Sequence, residues 1–114
     1  MKIGRMWYRP SVDVTFTWEE VATMIDLSER HYDYVCRRLS EDGTLNGMRN
    51  RFHAQYDGGV ETWPATATIE VRLDSTDADL LSKVCERDPG MLYKLAQVFH
   101  ALNDKWNEMN PQPW

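Results

Sequence analysis

The sequence predicts an α+β fold: one compact domain over residues 1–114, with a small antiparallel sheet of about three strands packed against two helical pairs. Three observations carry that expectation. Apolar and polar side chains alternate near residues 12–16, 51–56 and 66–73, the period of half-buried strands. Between and after these runs, apolar residues recur at three- and four-residue steps, the period of a buried helix face. Capping residues stand where one period gives way to the other.

Val12 to Phe16 forms the first alternating run, and Thr17 with Glu20 makes a capping box that opens a helix at Trp18. Val21, Met24, Ile25 and Trp18 share a face of that helix. Asp26-Leu27-Ser28 interrupts it, with Ser28 placed to cap a second helix whose Tyr32, Val35, Cys36 and Leu39 form an apolar stripe. Residues 43–64 read as a loop or hairpin region, since Gly43, Gly47, Gly58 and Gly59 all fall there. Within it Phe52, Ala54 and Tyr56 alternate with polar residues, predicting the middle strand. Thr66 to Leu73 is the clearest strand, with Ala67, Ile69, Val71 and Leu73 on one face. Thr76 with Asp79 repeats the capping pattern before Leu80, Leu81 and Val84. Asp88 then caps a long helix from Pro89 to Met109, and Pro111 and Pro113 prevent its continuation. The order of strand, capped helix, break and second helix therefore occurs twice. Val12–Thr17 lies over Ile69–Asp74 at an offset of 57 residues, which predicts a pseudo-twofold strand-helix-helix repeat.

Composition narrows the function. With 42% apolar and 27% charged residues, the chain has the balance of a globular domain, and no apolar run approaches the length of a membrane span. Residues 1–10 lack the apolar centre of a signal peptide, and two cysteines make no disulfide framework. A cytoplasmic setting is expected, the host-cell cytoplasm if the chain is phage-encoded. A net charge of −5 argues against nucleic-acid binding driven by bulk charge.

Catalytic and metal chemistry find no motif. The chain has no glycine-rich phosphate loop, and its three histidines and two cysteines lack the spacings of zinc sites. The expectation is a non-enzyme with no cofactor and no metal. The most unusual local composition is Asn46 to His53, where Arg49 and Arg51 share a side if the segment is extended. Together with Arg37 and Arg38 they predict a cradle for an anionic, nucleotide-like ligand or a protein partner. Asn50 and His53 add polar contacts, and Tyr34 and Tyr56 act as stacking platforms.

Glu20 to Val35 resembles a helix-turn-helix, with Ala22 at the close approach and Ile25 and Leu27 at the turn. Tyr32 and Val35 would anchor its second helix. Asp26 takes the place usually held by glycine at that turn. The resemblance implies a winged-helix DNA-binding regulator using Arg30, His31, Tyr34, Arg37 and Arg38, with the later strands as a wing. The final helix offers a homodimer seam through Leu95, Phe99, Leu102 and Trp106, and Trp7 and Trp114 also hint at an interface. In size, acidity and lack of catalytic motifs the chain resembles the small accessory and inhibitor proteins of phages and mobile elements, some of which block host defence. The leading expectation is therefore a non-enzymatic binding or inhibitor protein, and the DNA-binding regulator is the alternative.

Overall fold

The computed structural model describes residues 10–109. The chain runs β1 (Ser11–Thr17), α1 (Trp18–Glu29), α2 (Tyr34–Asp42), α3 (Thr44–Gln55), a 3-10 turn (Val60–Thr62), β2 (Thr68–Asp74), α4 (Ser75–Val84) and α5 (Pro89–Met109). It is an α+β protein in which 67% of the described residues are helical and the sheet is a two-stranded antiparallel one.

The strand register follows from the alternation of side chains. Ser11 lies opposite Asp74, Val14 opposite Val71, and Thr17 opposite Thr68. Val12, Val14 and Phe16 therefore share a face with Ile69, Val71 and Leu73, and that face meets the core. Asp13, Thr15, Glu70 and Arg72 occupy the wet face, where Arg72 pairs with Asp13 across the strands at 3.2 Å. Each strand passes directly into a helix through a capping box: Thr17 with Glu20, and Asp74 with Asp77. The second box thus sits two residues before the expected Thr76–Asp79 pair. Asp74 wins because its carboxylate already faces the Asp77 N–H at 2.9 Å as the strand ends.

The expected middle strand is absent: residues 51–55 belong to α3. Leu45, Met48 and Phe52 are all buried, and their steps of three and four residues are helical. The alternation of Phe52, Ala54 and Tyr56 is too short to compete with that stripe, and Ala54 is exposed. Gly43 separates α2 from α3, at φ −104° and ψ −100°.

Two further expectations change at α2. Ser28 lies in the last turn of α1, fully buried, with its hydroxyl 2.9 Å from that of Ser40. Asp33 is the cap instead, accepting the Cys36 N–H at 3.1 Å. The buried side of α2 is therefore Cys36 and Ser40, while Tyr32, Val35 and Leu39 are 81%, 62% and 59% exposed. Small side chains let α1 and α2 approach closely at the serine pair, and the larger apolar row does not fit that contact.

Asp88 caps α5 as expected, accepting the Met91 N–H at 3.1 Å. The buried stripe of α5 is Met91, Leu95, Val98 and Leu102. α5 lies beside β1 and α3 beside β2, so each outer edge of the ribbon has a helical neighbour. Lys94 donates to the Thr15 carbonyl and to Glu20, and its Nζ sits 4.5 Å over the Phe16 ring. On the other edge Arg51 donates to the Glu70 carbonyl at 3.0 Å, and the Tyr56 hydroxyl accepts the Thr68 N–H, also at 3.0 Å.

The helical state of residues 44–55 makes a test with two glycines. A Cβ at Gly47 would meet nothing within 4 Å, whereas one at Gly43 would stand 2.8 Å from the Leu39 carbonyl oxygen. Gly47→Ala should stabilise the protein by about 0.5–1 kcal/mol, because alanine removes backbone entropy from a helix interior. Gly43→Ala should destabilise it by about 1–3 kcal/mol through the close contact. Chemical denaturation of both variants reads the two signs.

Candidate functional site

The eight residues predicted to form an anion cradle do not converge. Tyr34, Arg37 and Arg38 lie on α2; Arg49, Asn50, Arg51 and His53 lie on α3; Tyr56 follows α3. Residues two apart on a helix point roughly 200° apart, so Arg49 and Arg51 leave opposite flanks of α3. Arg51 turns to β2, while Arg49 and Asn50 stand in solvent. His53 packs edge-on against Trp63 at 5.2 Å. Tyr56 is structural: its ring lies 5.9 Å from Phe52, and its hydroxyl both accepts from Thr68 and donates to it. It belongs to an aromatic cluster with Trp18, Phe52 and Trp63, in which Trp18 and Trp63 meet edge-on at 5.1 Å.

The residues of the DNA reading are largely engaged. Arg30 pairs with Asp26 and Arg38 with Asp42, each one helical turn away. Arg37 lies over the Tyr34 ring at 5.4 Å, so α2 offers only part of its positive charge to a phosphate backbone. Tyr32 and Val35 are exposed and do not anchor the helical corner. Trp7 and Trp114 lie outside the described residues.

Two concave regions are formed instead. A groove of about 600 Å³ runs between α2, α3, β2 and α4. Met48, Val71 and Leu73 floor it, and Leu39 and Leu80 add apolar wall. Arg51, Arg72 and Lys83 bring three cations to its lining, against Asp77 and Asp79. Asp77 is occupied by the capping box and by the Thr44 hydroxyl at 3.0 Å, and Asp79 meets Lys83 at 3.4 Å. Arg51 reaches only a backbone carbonyl among the described residues, so its guanidinium keeps unspent charge in the groove.

The second is a recess of about 380 Å³ where the α1–α2 turn meets the α4–α5 turn. Leu27 and Val84 line its apolar part, and Arg30 and Arg87 its charged part. The His31 side chain is 7% exposed and is fixed from both sides. Its Nδ1 accepts the Asp33 N–H at 3.2 Å, so the proton sits on Nε2, which donates to the Lys83 carbonyl at 3.0 Å. Tyr32 stacks on that ring, with centroids 4.7 Å apart and planes 19° from parallel. Leu80, Glu86 and Arg87 were not among the predicted site residues. A signal for Arg87 existed: it follows Arg30 by 57 residues, the offset that aligns the strands.

Among the described residues no group of three or more His, Cys, Asp and Glu side chains is placed to hold a metal ion, and no helix is long and apolar enough to cross a membrane. Cys36 and Cys85 are free and buried. Burial pushes the Cys36 thiol up, with Asp33 adding to the shift. The same desolvation raises Cys85 from 9.0 to about 12, with a smaller push from Asp88. Neither environment is that of an activated nucleophile. Comparison with protein-family models, with curated proteins and with solved structures finds no match to this chain.

The Cys85 shift has a definite sign in stability. Above pH 9 the unfolded chain loses the thiol proton while the folded chain keeps it, up to about 12. The unfolded state then binds fewer protons, so stability falls as pH rises through that window. Denaturation midpoints should drop between pH 9 and 11 more steeply for the wild type than for Cys85→Ala. Native protein at pH 8 should react with a thiol reagent only as fast as it opens.

Proposed function

We propose that this chain is a non-enzymatic binding protein that acts by occupying a protein partner, using α2 and the groove beside it. The observation that carries the reading is the exposed row on α2. Val35 and Leu39 stand one helical turn apart and are each more than half exposed, Tyr34 is exposed on the adjoining flank, and Leu39 borders the groove directly. Contiguous exposed apolar surface of this kind favours association, because covering it gains roughly 25 cal/mol per Å² before the cost of ordering the partner.

Charge favours one kind of partner segment. The groove gathers Arg51, Arg72 and Lys83 in a chain whose net charge is −5. An apolar side chain over Met48 and Leu39 with a carboxylate directed to Arg51 is complementary to it. Occupation without chemistry is the mode expected of a small accessory or inhibitor protein. A homodimer through α5 draws less support: Phe99 and Trp106 are exposed, but Leu95 and Leu102 are buried within their own chain.

The same reading takes the chain as two strand-helix-helix units about a pseudo-twofold axis between Val14 and Val71. The strands begin at Ser11 and Thr68 and the following helices at Trp18 and Ser75, all at the offset of 57. The register is consistent with that axis, since the Ser11–Asp74 and Thr17–Thr68 pairs exchange under it.

A displayed library of random peptides tests the partner reading. Wild-type protein should enrich peptides that combine apolar and acidic residues. Leu39→Asp should bind those peptides at least about tenfold more weakly, the loss expected when an anchor becomes a buried charge. Its thermal melt should be unchanged, since Leu39 is 59% exposed. Failure to enrich any sequence, or equal binding by the variant, would sink the reading.

A further inference from the structure

We propose that the recess between the α1–α2 and α4–α5 turns binds a small planar anion of the nucleoside-phosphate class. Part of the lining falls in pairs. Leu27 and Val84 are 57 residues apart, and so are Arg30 and Arg87. Two guanidinium groups from the two halves of the chain thus reach one cavity, over an apolar floor contributed by both halves. Converging guanidinium groups suit an anion whose oxygens are shared between them.

The individual charges support an anion over a cation. Arg87 has no carboxylate partner among the described residues. Arg30 uses Nε and one terminal nitrogen on Asp26, which leaves its other terminal nitrogen for a ligand. Glu86 is the one carboxylate in the described lining, and it lies 4.0 Å from His31 Nε2. Asp26, outside the lining, takes part of the Arg30 charge, and Arg87 carries the charge that no carboxylate among the described residues takes, which makes the recess favourable to an anion.

The planar part of the ligand is argued from Tyr32. The residue is 81% exposed although it belongs to the cavity wall. One face is covered by the His31 imidazole, and that ring is locked by the Asp33 N–H and the Lys83 carbonyl. The outer face of Tyr32 is therefore open to a base, which would stack on a ring already backed by a fixed imidazole. A volume of about 380 Å³ falls within the range of small-ligand sites.

This inference rests on the twofold relation proposed above only for the pairing of Arg30 with Arg87. It is independent of the groove. Calorimetric titration of the full chain with each of the four ribonucleoside monophosphates is the test, with circular-dichroism melts confirming that every variant is folded. At least one should bind with one-to-one stoichiometry. The matching nucleoside and ribose 5-phosphate should each bind about tenfold more weakly, as should the nucleotide to Arg87→Gln, Arg30→Gln and Tyr32→Ala. Arg49→Gln, outside the recess, should bind like wild type. Leu39→Asp should also keep nucleotide binding, which separates this site from the protein-partner surface. Absence of binding by all four nucleotides, ribose 5-phosphate binding as tightly as the nucleotide, or wild-type affinity in Arg87→Gln would overturn the proposal.

Discussion

The antiparallel pairing of β1 with β2 joins residues as much as 63 positions apart, from Ser11 to Asp74, and it makes the only sheet among the described residues. Two strands alone are marginal in water, because one pair of backbones cannot offset the entropy of ordering both. Here the ribbon is held by what surrounds it. Phe16, Ile69 and Leu73 seal one face into the core. Both edges are then closed by side chains from neighbouring helices, with Lys94 on the Thr15 carbonyl and Arg51 and Tyr56 on β2. An edge tied in this way no longer offers a full row of unpaired groups to another strand.

From this arrangement comes the unequal treatment of the helices. α1 and α4 leave the strands at capping boxes and turn apolar stripes inward, with Val21 and Met24 on one and Ala78 and Leu81 on the other. α2 meets α1 through Ser28 and Ser40, two buried hydroxyls that hydrogen-bond at 2.9 Å, with the Ser40 hydroxyl also within reach of the Cys36 and Arg37 carbonyls. A contact made by such small groups brings the backbones close. It also leaves α2 with more apolar side chain than the core accommodates, and the candidate partner surface is a direct result of that packing choice.

Much of the fold was legible in the sequence. Strong signals were local: the alternation around Phe16 and Val71, the Thr17–Glu20 box, and Asp88 before Pro89 all hold in the structure. Where the sequence misled, two patterns competed over the same few residues. Phe52 belongs both to a three-residue alternation and to the Leu45–Met48–Phe52 stripe, and burial in three dimensions favours the longer pattern. At α2 the hydrophobicity of Tyr32, Val35 and Leu39 indicated the wrong face, because no local signal says that a serine pair will be the contact. The candidate site was less legible for the same reason. Arg49 and Arg51 look adjacent in an extended chain and diverge on a helix. Arg30 and Arg87 look unrelated in sequence and share a cavity.

The long excursion between the paired strands also bears on how the molecule is made. Even the nearest pair, Thr17 with Thr68, encloses 50 intervening residues. Closing that loop carries an entropic penalty before any ladder bond rewards it, whereas β2, α4 and α5 are contiguous and need only short-range encounters. During synthesis from the N-terminus, β1 and its three following helices emerge before the strand that completes the ribbon. Phe16 and Met24 then lack the part of the core that β2, α4 and α5 supply, and residues 68–109 complete the core that the preceding residues begin.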